Sequence, residues 1–145
     1  MYALRIASHA DFDFLYRLYI ASMKEYVEKT WGWNETFQDE LFKNHFDVSK
    51  YQIIIHNNDD VGMLSVEDKE EEIFLARIQI LPEFQRRGIG RAIITDLINF
   101  SKEKNLSLSL RVLRVNPAKQ LYDRLGFVVT GETETHYLMK FGSEA

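Results

Sequence analysis

The sequence predicts an α/β fold with a mixed central sheet and helices on both faces, built as one domain over residues 1–145. Three observations predict it. Short segments of alternating apolar residues recur along the whole chain. Segments with apolar residues three and four positions apart lie among them, and turn-forming residues separate the two kinds. No linker, internal repeat or second domain interrupts this pattern, and 145 residues suit one sizeable core.

Tyr2 to Ala7 alternates and reads as a first strand, with Leu4 and Ile6 on one face. Ser8 and Asp11 suit a helix start, because their oxygens satisfy the unpaired amides of a first turn. Phe12, Leu15, Tyr19, Met23 and Tyr26 then recur at helical spacing, which predicts an amphipathic helix to about Glu28. Trp31-Gly32-Trp33 interrupts it. Asn34 caps a second helix that carries Phe37, Leu41, Phe42 and Phe46.

Tyr51 to His56 and Val61 to Glu67 are strands around the turn formers Asn57-Asn58-Asp59-Asp60. Asp68 to Glu71 turns the chain into a third strand, Ile73 to Leu81, which Pro82 ends because it has no amide donor. The three form an antiparallel meander. Beyond Gly88 and Gly90, Ile89, Ile93, Leu97 and Phe100 mark a helix to about Lys104. Leu106, Leu108, Leu110 and Val112 alternate with polar residues and form a strand. Asn116 caps a further helix with Pro117 at its first position, and Gly126 stops it as a left-handed residue. Phe127 to Thr130 and Thr135 to Phe141 complete a strand pair. The order is β-α-α-β-β-β-α-β-α-β-β.

Composition excludes several classes of function. The chain has no cysteine, so disulfides, thiolate nucleophiles and cysteine-ligated metals are all excluded. His9, His45, His56 and His136 show no ligand spacing, and no metal is expected. A net charge of −4 opposes a nucleic-acid partner. The start lacks an apolar segment of secretory type, and no apolar run is long enough for a membrane span. A cytoplasmic protein is expected, as monomer or homodimer.

The most informative stretch is Ile78 to Ile94, IQILPEFQRRGIGRAII. A strand enters a glycine-containing turn that runs directly into a helix. The glycines let backbone approach a ligand closely, and the helix start presents unpaired amides with a partial positive charge. That combination suits a pyrophosphate, and Arg86, Arg87 and Arg91 add cationic side chains. A nucleotide P-loop is excluded, since Gly90 is followed by Arg91-Ala92. A dinucleotide fingerprint is excluded by Ile93 at its third glycine position. The competing reading is a tight strand-helix turn with solvated arginines.

QRRGIG at Gln85 to Gly90 resembles the acyl-CoA-binding motif of the GNAT N-acetyltransferase family, matching at Gln85, Gly88 and Gly90. RVLRVNPAKQLYDRLGF, Arg111 to Phe127, is similar to that family's second signature at Asn116, Tyr122, Leu125, Gly126 and Phe127. With the element order agreeing, the resemblance covers essentially the whole chain. It implies the acyl-CoA N-acyltransferase fold and acetyl-CoA as co-substrate. Pantetheine would pair with backbone of Ile78, Gln79 and Ile80 in a split beside the strand from Leu106. Amides from Arg86 through Ile89 to Arg91 would hold the pyrophosphate, Asn116 would contact the pantetheine or pyrophosphate region, and Tyr122 would stand beside the sulfur.

Direct transfer to an amine needs a neutral nucleophile, a donor for the developing oxyanion and a proton for the leaving thiolate. Tyr122 is the expected general acid, against the alternative of an amphipathic core tyrosine. The base is less determined. Phe74 stands where some family members carry a strand glutamate, which leaves Glu67 and Glu28 as candidates against the reading of solvated carboxylates. Glu28, Trp31, Trp33 and Glu35 lie where the family walls its acceptor site, and tryptophan faces attract a cation. His136 is a further candidate there. The acceptor is expected to be a small-molecule or peptide amine. The rival class is a domain that binds acyl-CoA without turnover.

Overall fold

The computed structural model describes residues 1–142. Its strands are β1 (Ala3–Ile6), β2 (Gln52–His56), β3 (Asp59–Asp68), β4 (Glu72–Ile80), β5 (Ser107–Leu113), β6 (Val128–Glu132) and β7 (His136–Phe141). Its helices are α1 (Phe12–Trp31), α2 (Glu35–His45), α3 (Ile89–Glu103) and α4 (Ala118–Leu125). Their order along the chain is the predicted one. Hydrogen-bonded neighbours follow β1-β2-β3-β4-β5-β7-β6, a mixed seven-stranded sheet. Parallel β4 and β5 require a crossover, which α3 supplies. The chain forms two compact units: Met1–Ser65 with Arg77–Gln85, and Val66–Ala76 with the chain from Arg86 onward.

The first unit is built on α1. Leu15 and Leu18 are buried with Phe42 of α2, Val48, Ile53 of β2 and Met63 of β3. Aromatic rings extend this core. Phe42 stacks on Phe46 at 4.1 Å, and Phe46 stacks on Tyr51 at 4.4 Å. Asn34 caps α2 as its sequence predicts, accepting the Phe37 amide at 2.8 Å. Phe37 and Leu41, expected on the apolar face, are exposed, and Gln38 is buried in their stead. α1 runs beyond the predicted Glu28 to Trp31, where Gly32 (φ +86°) turns the chain out.

In β1, Leu4 and Ile6 share a face as the alternation predicts, and that face is the exposed one. Ile6 is 78% exposed and Leu4 is exposed too. Arg5, between them, carries the tertiary contacts. Its guanidinium donates to both carboxylate oxygens of Asp11 at 2.8 and 2.9 Å, and to Asp60 at 2.9 Å. Asp11 is buried, also accepts the Ser8 amide, and is held below the usual carboxylate range chiefly by Arg5. This edge strand is tied to the rest of its unit through a charge, not through its leucine and isoleucine.

Between β2 and β3 the turn residues Asn57 (φ +51°) and Asn58 (φ +70°) are both left-handed, as a tight hairpin requires. The ladder then shifts register at Ile54/Ile55. Beyond this bulge, Gly62 admits the β4 backbone so closely that a Cβ there would lie 2.4 Å from the Gln79 carbonyl oxygen. Backbone cannot yield as a flexible side chain can. Gly62→Ala should therefore cost about 1–3 kcal/mol, read as a lower urea midpoint at unchanged slope.

In the second unit, the start of β4 pairs in parallel with β5, Ile73 opposite Leu108 and Leu75 opposite Leu110. β5 then pairs antiparallel with β7, and β7 with β6. Ile89, Ile93, Ile94 and Ile98 recur along α3 and are all buried, as are Leu108, Leu110, Val112 and Met139. α4 ends at Gly126 (φ +103°), whose amide bonds the Asp123 carbonyl while that of Phe127 bonds the Tyr122 carbonyl. This paired closure is a Schellman arrangement, built around the left-handed glycine that the sequence predicts.

Candidate functional site

The turn between β4 and α3 is the first element of the site. Pro82–Phe84 forms one short turn of helix after β4. The Gln85 side-chain amide then donates to the Ile80 carbonyl at 2.8 Å and clamps the loop to the end of its strand. Arg86 (φ +65°) and Gly88 (φ +85°) are left-handed, and Gly88 caps the fifteen residues of α3. A Cβ at Gly88 would meet no atom within 4 Å. Internal crowding therefore does not demand this glycine; its backbone conformation does, and it leaves open space beside the first-turn amides. Ala92 closes the first helical bond to the Gly88 carbonyl, so the amides of Ile89, Gly90 and Arg91 precede the intrahelical ladder. Arg86, Arg87 and Arg91 are exposed around them, and Ile89 is buried.

Of the three strand residues expected to run beside a co-substrate, Ile78 and Ile80 are half-buried. Gln79 is 7% exposed, and its Oε1 accepts the Ser22 hydroxyl of α1 at 3.4 Å. Its alternation with Ile78 and Ile80 places it on the α1 side of β4.

Asn116 and Tyr122 belong to the loop-helix after β5. Asn116 Oδ1 accepts the Ala118 amide at 2.9 Å, so the expected cap is made with the helix starting one residue later than predicted. Tyr122 is 7% exposed, with its ring 5.7 Å from Phe127. Burial pushes its phenol up to about 12, so the side chain stays protonated through neutral pH.

Glu28 on α1 and Glu67 near the end of β3 are both exposed. His136, at the start of β7, is half-buried and lowered from its ordinary pKa by burial and by Arg111; its Nδ1 is 2.8 Å from the Thr135 hydroxyl. The two tryptophans do not act alike. Trp31 is 61% exposed, whereas Trp33 is half-buried 6.0 Å from the Tyr19 ring. Lys24 Nζ already stands 5.4 Å from the Trp33 ring centre. A cation of the chain itself therefore stands over the Trp33 indole, while the Trp31 ring is exposed. Glu35 is exposed in the first turn of α2.

Sequence reasoning missed Arg77. Its guanidinium lies 5.5 Å from the Tyr19 ring and 5.8 Å from the Tyr51 ring. The available signal was an arginine two positions from Gln79, polar residues recurring on one face of an otherwise apolar strand. Among the described residues, no group of three or more His, Cys, Asp or Glu side chains could hold a metal ion. No helix among them is long and apolar enough to cross a membrane.

Comparison with known proteins gives a consistent result. A family model described as an acetyltransferase (GNAT) domain matches residues 20–138. A ribosomal protein bS18-alanine N-acetyltransferase of Haemophilus influenzae is 31% identical over 118 residues, 81% of this chain and 75% of that protein. The PaiA N-acetyltransferase of Thermoplasma acidophilum, solved with coenzyme A, matches with a TM-score of 0.77 at 16% identity, over 97% of this chain and 98% of that one. Arabidopsis thaliana Naa50, solved with the bisubstrate analogue CoA-Ac-MVNAL, matches with a TM-score of 0.66 at 15% identity, over 98% and 99%. At these identities the two structures speak to the fold alone.

Proposed function

The chain belongs to the acetyltransferase (GNAT) family and is an acetyl-CoA-dependent N-acetyltransferase; on that premise we propose that it acetylates a primary amine of a small molecule or peptide by direct attack. The observation that carries this reading is the β4–α3 turn. Gln85 clamps the loop, Gly88 is left-handed, and open space lies beside the first amides of a long helix. Those amides suit a pyrophosphate, with Arg86, Arg87 and Arg91 around it.

When bound, acetyl-CoA supplies an acyl group activated as a thioester. The acceptor nitrogen attacks the carbonyl carbon, so a C–N bond forms and the C–S bond breaks. A backbone amide of Ile78 or Ile80 donates to the developing oxyanion. Asn116 lines the pantetheine region. Tyr122 gives its proton to the departing thiolate and regains one from the nitrogen, which loses it as the amide forms. A free alkylamine of pKa about 10.4 is mostly protonated at neutral pH, so a proton must leave first. Glu28, Glu67 or solvent water takes it. Glu28, Trp31, Trp33, Glu35 and His136 are the residues assigned to the acceptor side. The bS18-alanine relative and the peptide analogue held by Naa50 support peptide amino termini among the candidate acceptors.

The test is release of free CoA from acetyl-CoA, assayed with pools of amino acids, polyamines and short peptides. Acetylated product from one pool, in proportion to CoA released, is expected. Acetyl-CoA binding with no pool turned over would favour the non-catalytic acyl-CoA-binding reading instead.

A further inference from the structure

We propose that Arg77, held between Tyr19 and Tyr51, binds a carboxylate on the acceptor, so that the preferred substrate is an amine bearing an acid group a few bonds away. This rests on the acetyltransferase reading above and names the class of acceptor within it.

Arg77 is half-buried on β4, with its guanidinium over two tyrosine rings. Both rings are fixed from behind. The Tyr19 hydroxyl donates to Gln38 Oε1 at 3.3 Å, and Gln38 itself is only 7% exposed. Tyr51 is stacked on Phe46, which is stacked on Phe42. Ring faces engage a guanidinium through its plane and leave its edge, where the five N–H donors point, unsatisfied. Among the described residues no carboxylate pairs with Arg77 and no oxygen accepts from it, so stacking accounts for its position but not for its donors.

Trp33 Nε1, on the ring beside Tyr19, is a buried donor without an acceptor. Lys24 adds an ammonium over the same indole. On the neighbouring turn of α1, Tyr16 donates its hydroxyl to Asp39, with Glu35 acting on it as well. Two unsatisfied donors and two positive charges call for a ligand that accepts hydrogen bonds and carries negative charge. A planar fork of donors matches the two oxygens of a carboxylate, which a lysine in the same place would not. Arg77 directly precedes Ile78, the first strand residue assigned to the co-substrate. The acid group it holds therefore belongs near the reacting amine, as in an amino acid or a peptide with an acidic residue close to its amino terminus.

The experiment pairs acceptors that differ only in charge: an amino acid against its carboxamide, and Ala-Glu peptides against Ala-Gln peptides. The two pairs separate free amino acids from peptides. Wild-type protein should favour the acid member in kcat/KM by about tenfold or more. Arg77→Gln should erase that ratio and leave the Michaelis constant for acetyl-CoA nearly unchanged, with Arg77→Lys between the two. A second measurement does not depend on turnover. Titrated succinate should shift the Arg77 Nε–Hε resonance, and the matched diamide should not. An acid-to-amide ratio that is equal in wild type and Arg77→Gln, or a resonance that succinate leaves in place, overturns the proposal. If amides are acetylated as well as acids, the acetyltransferase reading stands and this inference falls. If succinate shifts the resonance while no amine is turned over, the anion site stands and the catalytic reading falls.

Discussion

Gly88→Glu should lower acetyl-CoA affinity at least about a hundredfold, because a carboxylate about 4 Å from a pyrophosphate at an effective dielectric near 20 is repelled by roughly 4 kcal/mol. The position makes the variant informative. No atom lies within 4 Å of where the new Cβ would stand, so the side chain enters open space and not the core. Its φ of +85° adds strain to any side chain. Gly88→Ala carries that strain without the charge and separates the two effects. Isothermal titration should find the alanine variant weakened far less than the glutamate one, with both melting as cooperative folded proteins. Unchanged acetyl-CoA affinity in folded Gly88→Glu would remove the pyrophosphate from this turn.

Tyr122→Phe should lower kcat by roughly 10²-fold while acetyl-CoA affinity stays close to wild type, because only a proton donor is lost. A wild-type rate would return Tyr122 to a packing role. The pH behaviour supplies an independent check. The folded-state pKa, about 12, lies above the ordinary phenol value. The folded state therefore holds this proton more tightly than the unfolded chain does. Stability from this residue is fully present below pH 10 and is lost as pH rises toward 12. Denaturation at alkaline pH should be less steep in Tyr122→Phe, whatever its rate. Because wild-type Tyr122 remains protonated across the usual assay range, a falling alkaline limb of activity there would not come from it.

The order of elements was legible because turn and cap chemistry is local. Asn34, Asn57-Asn58, Pro82, Gly88 and Gly126 act within a few residues of themselves, and each stands where its backbone needs it. What alternation could not say is which face of a strand is covered. In β1 the residue that makes the tertiary contacts is Arg5, and one of its partners, Asp60, lies 55 positions away. The two catalytic-side signatures were legible for the same local reason as the turns: a glycine-bounded helix start and a glycine-terminated short helix. The Arg77 cluster was not. Tyr19, Tyr51 and Arg77 come from a helix, a strand edge and a different strand, and no spacing in the chain announces that they meet. Nor does any spacing announce that Lys24, two turns before Trp31 on the same helix, stands over the Trp33 ring.

Gly126 has a bearing on how mutational tolerance would be interpreted. Its left-handed turn sends the Phe127 amide back to the Tyr122 carbonyl at 3.0 Å, and a Cβ there would stand 3.0 Å from Phe141 Cε2. The end of the helix that carries Tyr122 is thus set four residues downstream of it, by a residue without a side chain. A saturation library scored on acetylation alone would rank Gly126 beside Tyr122, and the pair would look like two members of one reactive centre. Scored also on folding, they should separate: Tyr122→Phe should keep its helix, whereas a β-branched residue at 126 should strain the left-handed exit and press on Phe141. Intolerance at Gly126 is a record of how the chain leaves α4, not of anything the protein binds.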